Sequence, residues 1–306
     1  MMSSNLPSRR RTLLAAGAAA LSLTLSACAS TNTGSGMPAM SGMPASTMPT
    51  ATAPPSATAS MAGMAAMAGG TGLASSSNGY TFASATAALP AGQPAGYRFT
   101  ITGPDGKPVT DYTVDQTKKL HFYAIRSDLT GFQHVHPTMA ADGTWTAQLA
   151  APAPGDWRLF AAFTPATGAG KGTDVVLSRT VTVPGMANTA ALPPAATSTT
   201  VDGYTATVSG DLMAGMAHPL TVTISRDGKP VTDLQPYLDT YAHLTAFHEG
   251  DQAFAHLHPT TAVSGDHGGP TLTFHAELPA SGNWRLFLQF QTVGTLHTAQ
   301  LTLHVS

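Results

Sequence analysis

Short runs of alternating hydrophobic and polar positions recur along residues 79–306, and Gly, Pro and Asp bound them. Over residues 144–149, Trp145, Ala147 and Leu149 alternate with polar neighbours. A period of two predicts a strand with one buried and one solvated face. Further strands are predicted at residues 97–101, 120–125, 157–163 and 175–183. The pattern therefore predicts an all-β protein.

The chain repeats itself. The segment DGKPVTD occurs at 105–111 and again at 227–233, and GDWRLF at 155–160 matches GNWRLF at 282–287. Such self-similarity predicts two domains, at 79–184 and 203–306, joined by an Ala-, Pro- and Thr-rich linker at 185–202. About seven short strands per domain are typical of an immunoglobulin-like β-sandwich. Trp157 and Trp284 are the predicted core anchors of two such tandem domains.

The N-terminus has the layout of an export signal. Three arginines, Arg9 to Arg11, precede an apolar run that ends in Leu25-Ser26-Ala27-Cys28. We interpret residues 1–27 as a signal peptide and exclude them from the fold. The last four residues resemble the lipobox of bacterial lipoproteins, which implies cleavage before Cys28, lipidation of its thiol and a membrane anchor on the extracytoplasmic face. The arginines also resemble a twin-arginine signal.

Residues 28–78 contain no charged and no aromatic side chain. Such a composition buries too little apolar surface to offset the entropy cost of ordering the chain. We therefore predict a disordered, Met-, Ala-, Ser- and Thr-rich tether between the anchor and the folded domains.

The charge and the cysteine content exclude some partners and some kinds of bond. Removal of the signal takes three of the 14 basic residues, which leaves 11 against 16 acidic ones and a formal charge of −5. A nucleic-acid partner is not expected, since it requires a basic face. Cys28 is the single cysteine, so no internal disulfide can form. Histidine is abundant by contrast, with 12 residues.

Histidines recur at matched positions in the two repeats. A hairpin centred between Asp128 and Leu129 would place His121 opposite His136, with His134 on the same face. Three converging imidazoles suit Cu(II) or Zn(II). The alternative is three histidines used for packing or hydrogen bonding. The predicted metal ligands are His121, His134 and His136 in the first domain and His243, His256 and His258 in the second.

Methionines form a second pattern. Seven of the 13 lie within residues 28–78, and six of these make two triplets with the spacing Met-x-x-Met-x-x-Met. A thioether is a soft ligand suited to Cu(I), although low-complexity segments also acquire such spacing by drift. The candidate Cu(I) ligands are Met37, Met40, Met43, Met61, Met64 and Met67, with Met213 and Met216 at the start of the second domain.

Several of these motifs together resemble a family of envelope proteins. The DGKPVTD turns, the segments HVHP at 134–137 and HLHP at 256–259, and the GDWRLF and GNWRLF strands are similar to YtkA-like and CopC-like β-sandwiches. The resemblance covers both domains and implies an immunoglobulin-like fold associated with copper or heavy metals. CopC-like proteins ligate copper through a free N-terminal amine, which a lipidated Cys28 cannot offer, so their ligand set does not carry over.

Three functions remain open at this point. The leading hypothesis is an exported, lipid-anchored protein that binds copper, alternatively zinc, as a scavenger or chaperone, with an envelope metalloprotein as a candidate partner. The second is a non-metal interaction module of the cell envelope. The third is a zinc hydrolase, since three histidines with an open fourth position can activate water. We do not expect an enzyme, because no proton-transfer group accompanies both triads.

Overall fold

The computed structural model describes residues 70–306, so the predicted signal peptide, Cys28 and the six candidate methionines of the tether lie outside the described residues. Over this range the chain forms strands and turns, and it contains no helix that could cross a membrane. The first ten strands are β1 Ser76–Ser77, β2 Tyr80–Ala83, β3 Ala95–Thr102, β4 Tyr112–Thr113, β5 His121–Arg126, β6 Gln133–Val135, β7 Thr138–Met139, β8 Thr144–Leu149, β9 Gly155–Pro165 and β10 Val175–Val183. The other nine are β11 Ser198–Val201, β12 Tyr204–Ser209, β13 Ala217–Arg226, β14 Lys229–Pro230, β15 Ala242–His248, β16 Phe254–Pro259, β17 Thr271–Glu277, β18 Gly282–Thr292 and β19 Thr295–Val305.

The first domain is a sandwich of two antiparallel sheets. One has the order β1-β2-β3-β8-β7, and the other has the order β10-β9-β5-β6, with β4 paired to β9. The alternation predicted for β8 is confirmed, since Trp145, Ala147 and Leu149 are buried and the intervening residues are not. Trp157 lies in the core between the sheets, and its Nε1 donates a hydrogen bond to the Ala153 carbonyl at 2.9 Å.

The second domain repeats this arrangement with one change. Strand β16 pairs with β15 through residues 254–257 and with β17 at His258 and Pro259. This bridging joins the two halves into a single nine-stranded sheet that encloses one core around Trp284. As in the first domain, the indole Nε1 donates to the carbonyl four residues earlier, that of Ala280, at 2.9 Å. The prediction of an all-β fold with two tandem domains is confirmed.

Each domain begins earlier than the sequence pattern indicates. A two-residue hairpin turn at Asn78-Gly79 joins β1 to β2, and Asp202-Gly203 joins β11 to β12. All four turn residues have positive φ, the conformation that Asn-Gly and Asp-Gly pairs favour in tight hairpins. The predicted boundaries at 79 and 203 therefore cut through two hairpins, and the end of the predicted linker forms β11.

Residues 70–75, the N-terminal strap, cross from one domain to the other. The Thr71 carbonyl accepts a hydrogen bond from Phe254 N at 2.9 Å, and the Ala74 carbonyl accepts one from Ser178 N at 2.9 Å. Leu73 packs against the core of the second domain. Residues 70–78 of the predicted tether thus belong to the folded part of the chain. They are held mainly by backbone hydrogen bonds to both domains.

Gly72 offers a test of how tightly the strap packs. A Cβ built there would lie 2.8 Å from Val176 Cγ1, and φ is +68°. Gly92 is a matched control, with φ of +66° and nothing within 4 Å of the added atom. We expect Gly72→Ala to lower the free energy of unfolding by about 1–3 kcal/mol more than Gly92→Ala in urea denaturation, because overpacking adds to the shared backbone strain. Equal losses would show that the strap moves aside freely.

The domains face each other through a second apolar layer. All six residues of β5 are buried. Phe122 and Ala124 point into the first domain's own core, whereas the alternate residues Tyr123 and Ile125 belong to a cluster shared with the second domain. This inter-domain cluster consists of Tyr123, Ile125, Leu129 and Phe160 from the first domain and Phe247, Phe254 and Phe287 from the second. It fixes the two sheets against each other beside the histidines.

Candidate metal centre

The first-domain histidines converge as the hairpin argument predicts. Strands β5 and β6 pair with Phe122 opposite Val135 and Tyr123 opposite His134, which is the predicted register. His121 Nδ1 lies 3.0 Å from His134 Nε2. One potential ligand atom from each of His121, His134 and His136 lies within 4.8 Å of the other two. Among residues 70–306 this is the one group of three or more His, Cys, Asp or Glu side chains that meets this criterion.

A hydrogen bond to a carbonyl fixes which ring nitrogen of His121 carries the proton. The Asp115 carbonyl lies 3.2 Å from His121 Nε2 and can only accept, so His121 is protonated at Nε2. In the neutral ring His121 Nδ1 is therefore a lone-pair acceptor, and it lies 3.0 Å from His134 Nε2. Gln289 Oε1 of the second domain lies 2.7 Å from His134 Nδ1, the other nitrogen of that ring. His136 Nε2 is buried without a hydrogen-bond partner.

The second domain repeats the orienting contact. The Tyr237 carbonyl lies 3.1 Å from His243 Nε2, as the Asp115 carbonyl does from His121, so the His243 proton also sits on Nε2. His243 Nδ1 is left buried without a partner, and so is His256 Nε2. Three histidines, His136, His243 and His256, thus each hold a ring nitrogen that is buried without a hydrogen-bond partner. Holding a ligand histidine through its other N–H to a carbonyl is the usual outer-shell arrangement of metal sites.

The two predicted triads meet at the domain interface instead of forming two separate sites. The His121 ring centroid lies 6.4 Å from that of His243 and 6.2 Å from that of His256. His134 and His243 are 5.8 Å apart by the same measure. The rings of His121, His134, His136, His243 and His256, here called the histidine cluster, form one group across the interface.

His258 lies at the exposed end of β16. Strand β16 leaves β15 after Leu257 and pairs with β17, where His258 stands opposite His275. His258 is exposed, and its ring centroid is 4.9 Å from that of His256. Because the bridging strand turns it away from His243, the second domain has no triad equivalent to that of the first.

Burial lowers the pKa of every ring in the histidine cluster. It lowers the pKa of His136 to about 3 and that of His243 to about 4, and it places those of His134 and His256 well below the usual value. The pKa of His121 is lowered for the same reason, although the Asp115 carbonyl opposes the shift. The rings are therefore neutral at pH 7, the state in which imidazole binds a metal ion.

Two of the candidate methionine ligands lie within the described residues. Met213 and Met216 occupy an exposed turn, in which Met216 N donates to the Met213 carbonyl at 3.2 Å. Sequence reasoning missed Gln289 and the carbonyl groups of Asp115 and Tyr237. The last two carry no side-chain signal, but Gln289 does: it stands two residues after Phe287 on β18, on the face that the repeat presents to the other domain.

A second histidine network has the outline of an acid–base triad. His297 Nδ1 donates to Asp202 Oδ2 at 2.8 Å, and the Thr292 hydroxyl lies 3.0 Å from His297 Nε2. Thr292 is 1% exposed, and its Oγ1 is also 2.7 Å from the Tyr204 hydroxyl. A hydroxyl this deeply buried cannot meet a substrate, so the network ties β12, β18 and β19 together.

Solved structures offer only distant likenesses. InvD of Yersinia pseudotuberculosis is 16% identical, with 76% of this chain and 58% of that chain covered and a TM-score of 0.23. A Salmonella alpha-2-macroglobulin is 13% identical, with 74% and 16% covered and a TM-score of 0.25. The Ig1-2 module of the Drosophila receptor protein tyrosine phosphatase DLAR is 9% identical, with 72% and 94% covered and a TM-score of 0.20. This chain spans less than two-thirds of the first two, and likenesses this low say nothing about function.

Sequence comparison identifies the domains themselves. No curated protein matches the chain. One family profile, described as "Domain of unknown function (DUF8832)", matches twice, at residues 75–183 and 199–306. The two matches include β1 and all of β11 except Ser198, the hairpin strands that precede the boundaries predicted from composition. Since they span more than two-thirds of the chain, this protein belongs to the DUF8832 family and carries its domain twice.

Proposed function

We propose that this chain is an exported, lipid-anchored metal-binding protein that holds copper, alternatively zinc, in the histidine cluster between its two domains. The single observation that carries the proposal is the convergence of three imidazoles. One ring nitrogen from each of His121, His134 and His136 lies within 4.8 Å of the other two. His136 Nε2 is buried without a hydrogen-bond partner.

A metal ion fits this arrangement. Burying polar groups without partners costs free energy. Protonation of the rings is disfavoured, since burial lowers the pKa of both His121 and His134. A metal ion accepts the lone pairs of neutral imidazoles, and its bonds to nitrogen offset the loss of hydration. Metal–nitrogen bonds of about 2.0–2.1 Å at tetrahedral angles separate ligand nitrogens by about 3.3 Å, close to the observed spacing.

The donor types favour copper or zinc over other ions. Imidazole suits both metals, whereas Ca²⁺ and Mg²⁺ require oxygen ligands. The thioethers at Met37, Met40, Met43, Met61, Met64 and Met67 add a soft donor set that is suited to Cu(I) and not to zinc. This combination supports copper as the cargo and a scavenging or delivery role, with an envelope metalloprotein as recipient.

Export and anchoring rest on the N-terminal sequence. Arginines 9–11, the apolar run and the cysteine at position 28 support a lipid-anchored protein on the extracytoplasmic face. Expression with a radiolabelled fatty acid tests this part of the proposal. We expect label in the membrane fraction for the unaltered chain and none for Cys28→Ser.

Metal competition tests the cluster. The full chain with Cys28→Ser and no His tag is titrated with Cu(I), Cu(II) and Zn(II) against chromophoric chelators. We expect one tight equivalent, because one group of three converging ligands is present. Changing His121, His134 and His136 together to Ala should weaken that equivalent by more than about 100-fold, since loss of even an outer-shell partner costs 10–100-fold.

The control variant is His267→Ala. His267 is more than half exposed and bonded only to its neighbour Asp266, so its loss should change nothing. Unchanged affinity in the triple variant would exclude the histidine cluster as the site. If neither the parent nor the triple variant retains an ion, the histidine cluster at the domain interface has a structural role. A non-metal partner in the envelope then becomes the better hypothesis.

A further inference from the structure

A cavity of about 170 Å³ opens between the two domains at one edge of the histidine cluster. The second domain contributes three histidines to its wall, His256 and His258 from β16 and His275 from β17. His256 is half-buried, whereas His258 and His275 are exposed. The three imidazoles therefore border one space that solvent reaches.

The strands place these three rings on one side of the sheet. His256 and His258 are two residues apart on β16, so their side chains point the same way. His258 and His275 are directly opposed on adjacent antiparallel strands, and opposed residues have Cβ atoms about 4.5–5.5 Å apart on a common side. The first domain has the same layout, because its His-x-His pair on β6 faces a third histidine on the neighbouring strand β5.

The spacing of the rings matches that of the first domain in part. The His256 and His258 ring centroids are 4.9 Å apart. The corresponding pair on β6, His134 and His136, is 4.7 Å apart. The donor atoms of the three cavity rings do not all lie within 4.8 Å of one another, as those of the first triad do. Rotation of the exposed His258 and His275 side chains can close this gap, since exposed side chains change rotamer within nanoseconds.

His256 lacks a contact that orients its counterpart in the first domain. His134 Nδ1 lies 2.7 Å from Gln289 Oε1. The residue that corresponds to Gln289 is Ala162, which pairs with His121 on β5 as Gln289 pairs with His243 on β15. Ala162 lines the cavity, and its methyl group cannot accept a hydrogen bond. The short side chain therefore leaves open, beside His256, the space that an amide fills beside His134.

The second domain also supplies two side chains that the first domain lacks. His275 pairs with Pro219 on β13, and the residue at the corresponding place in the first domain is Gln148, so duplication does not account for His275. Glu277, two residues beyond His275, lies on the same side of β17 and lines the cavity. Imidazole suits Cu(II) and Zn(II), and a carboxylate favours these divalent ions over the softer Cu(I).

We propose that His256, His258 and His275 bind a second metal ion, Cu(II) or Zn(II), in the inter-domain cavity, with the Glu277 carboxylate beside them. The site goes beyond the proposed function, because all its ligands come from the second domain and none belongs to the triad of the first. This ion should bind more weakly than the buried one. Two of its ligands lose rotamer freedom on binding, and the two ions repel each other.

The test counts the equivalents of Zn(II) and of Cu(II) that the full chain binds in competition with chromophoric chelators of graded affinity. The chain carries Cys28→Ser and no His tag. One variant is His275→Gln, which introduces the residue of the first domain, and the other is His258→Ala with His275→Ala. The matched control is His267→Ala with His304→Ala, which removes two exposed histidines outside the cavity.

We expect the parent to bind one tight equivalent and a weaker second one, and the ion that gives the tighter second equivalent is the one the site prefers. His275→Gln should weaken the second equivalent at least about tenfold, since loss of even an outer-shell partner costs about 10–100-fold. The two-histidine variant should abolish it, and the control should match the parent. A parent without a second equivalent would overturn the proposal, and so would a second equivalent that neither cavity variant weakens.

The two proposals fail differently. The triple variant His121→Ala, His134→Ala and His136→Ala should lose the tight equivalent and keep the second one. If the triple variant keeps the tight equivalent while the cavity variants lose the second, the buried site is wrong and the cavity site stands. If the triple variant loses both equivalents, the second ion belongs to the buried triad and the cavity site is wrong.

Discussion

Replacing Phe254 with Ala is expected to cost about 3–5 kcal/mol of stability and to uncouple the two domains. Phe254 is 1% exposed and lies between Tyr123, at 5.0 Å between ring centroids, and Phe160, at 5.3 Å. Both of those rings belong to the first domain, so the truncation leaves a cavity in the inter-domain cluster. Because the neighbouring histidine cluster spans the same interface, affinity for the tight metal equivalent should fall together with stability.

Calorimetry of the metal-free and metal-loaded protein checks this prediction. Phe274→Ala is the matched control, because Phe274 is equally buried but packs within the second domain's own core. It should lower stability by a similar amount and leave the metal affinity close to that of the parent. Phe254→Ala should instead unfold in two separate thermal transitions, one for each domain. Added metal should not restore a single transition. One transition with parental affinity would contradict the role given to this interface.

The metal-free protein should become less stable as the pH falls below about 6.5. His121 is 4% exposed and His243 is 1% exposed, and burial lowers the pKa of each, that of His243 to about 4. The unfolded chain therefore binds protons that the folded protein excludes. For His243 the stability is fully present above 6.5 and is lost progressively down to about pH 4, at up to about 1.4 kcal/mol per pH unit.

Urea denaturation at pH 7.5, 6.5, 5.5 and 4.5 measures this loss. Several cluster histidines contribute in the same direction, so the slope should exceed that of one group. His121→Gln with His243→Gln should flatten the profile, because two of the groups no longer titrate. Bound metal should shift the profile to lower pH, since protons must then displace the ion. A metal-free stability that is constant from pH 7.5 to 4.5 would contradict the buried, neutral state assigned to the rings.

Much of the fold could be predicted from the sequence because the two repeated segments can be compared with each other. The repeated DGKPVTD and HxHP segments indicated one domain per copy, and the predicted β5–β6 register is the one observed. That register was assumed from a hairpin centred between Asp128 and Leu129, and a one-residue slip would have placed His121 and His134 on opposite faces. The burial pattern of β8 was equally readable from its period of two.

The domain boundaries and the shared site were harder to predict. Residues 70–78 have small side chains, so composition gives no sign that their backbone is bonded, although Asn78-Gly79 and Asp202-Gly203 are strong hairpin signals. The meeting of the two histidine sets depends on how the domains pack, which no local pattern encodes. One clue was present: β5 has no polar–apolar alternation, as expected for a strand that is buried on both faces.

The most direct test is a crystal structure of the copper-loaded protein with anomalous diffraction recorded at the copper edge. The account predicts an anomalous peak at the domain interface, within about 2.0–2.1 Å of one ring nitrogen from each of His121, His134 and His136. His121 and His243 should keep their Nε2 protons on the Asp115 and Tyr237 carbonyls. Copper found only at the exposed methionines, with the three rings unchanged, would contradict the assignment of the histidine cluster as a metal site.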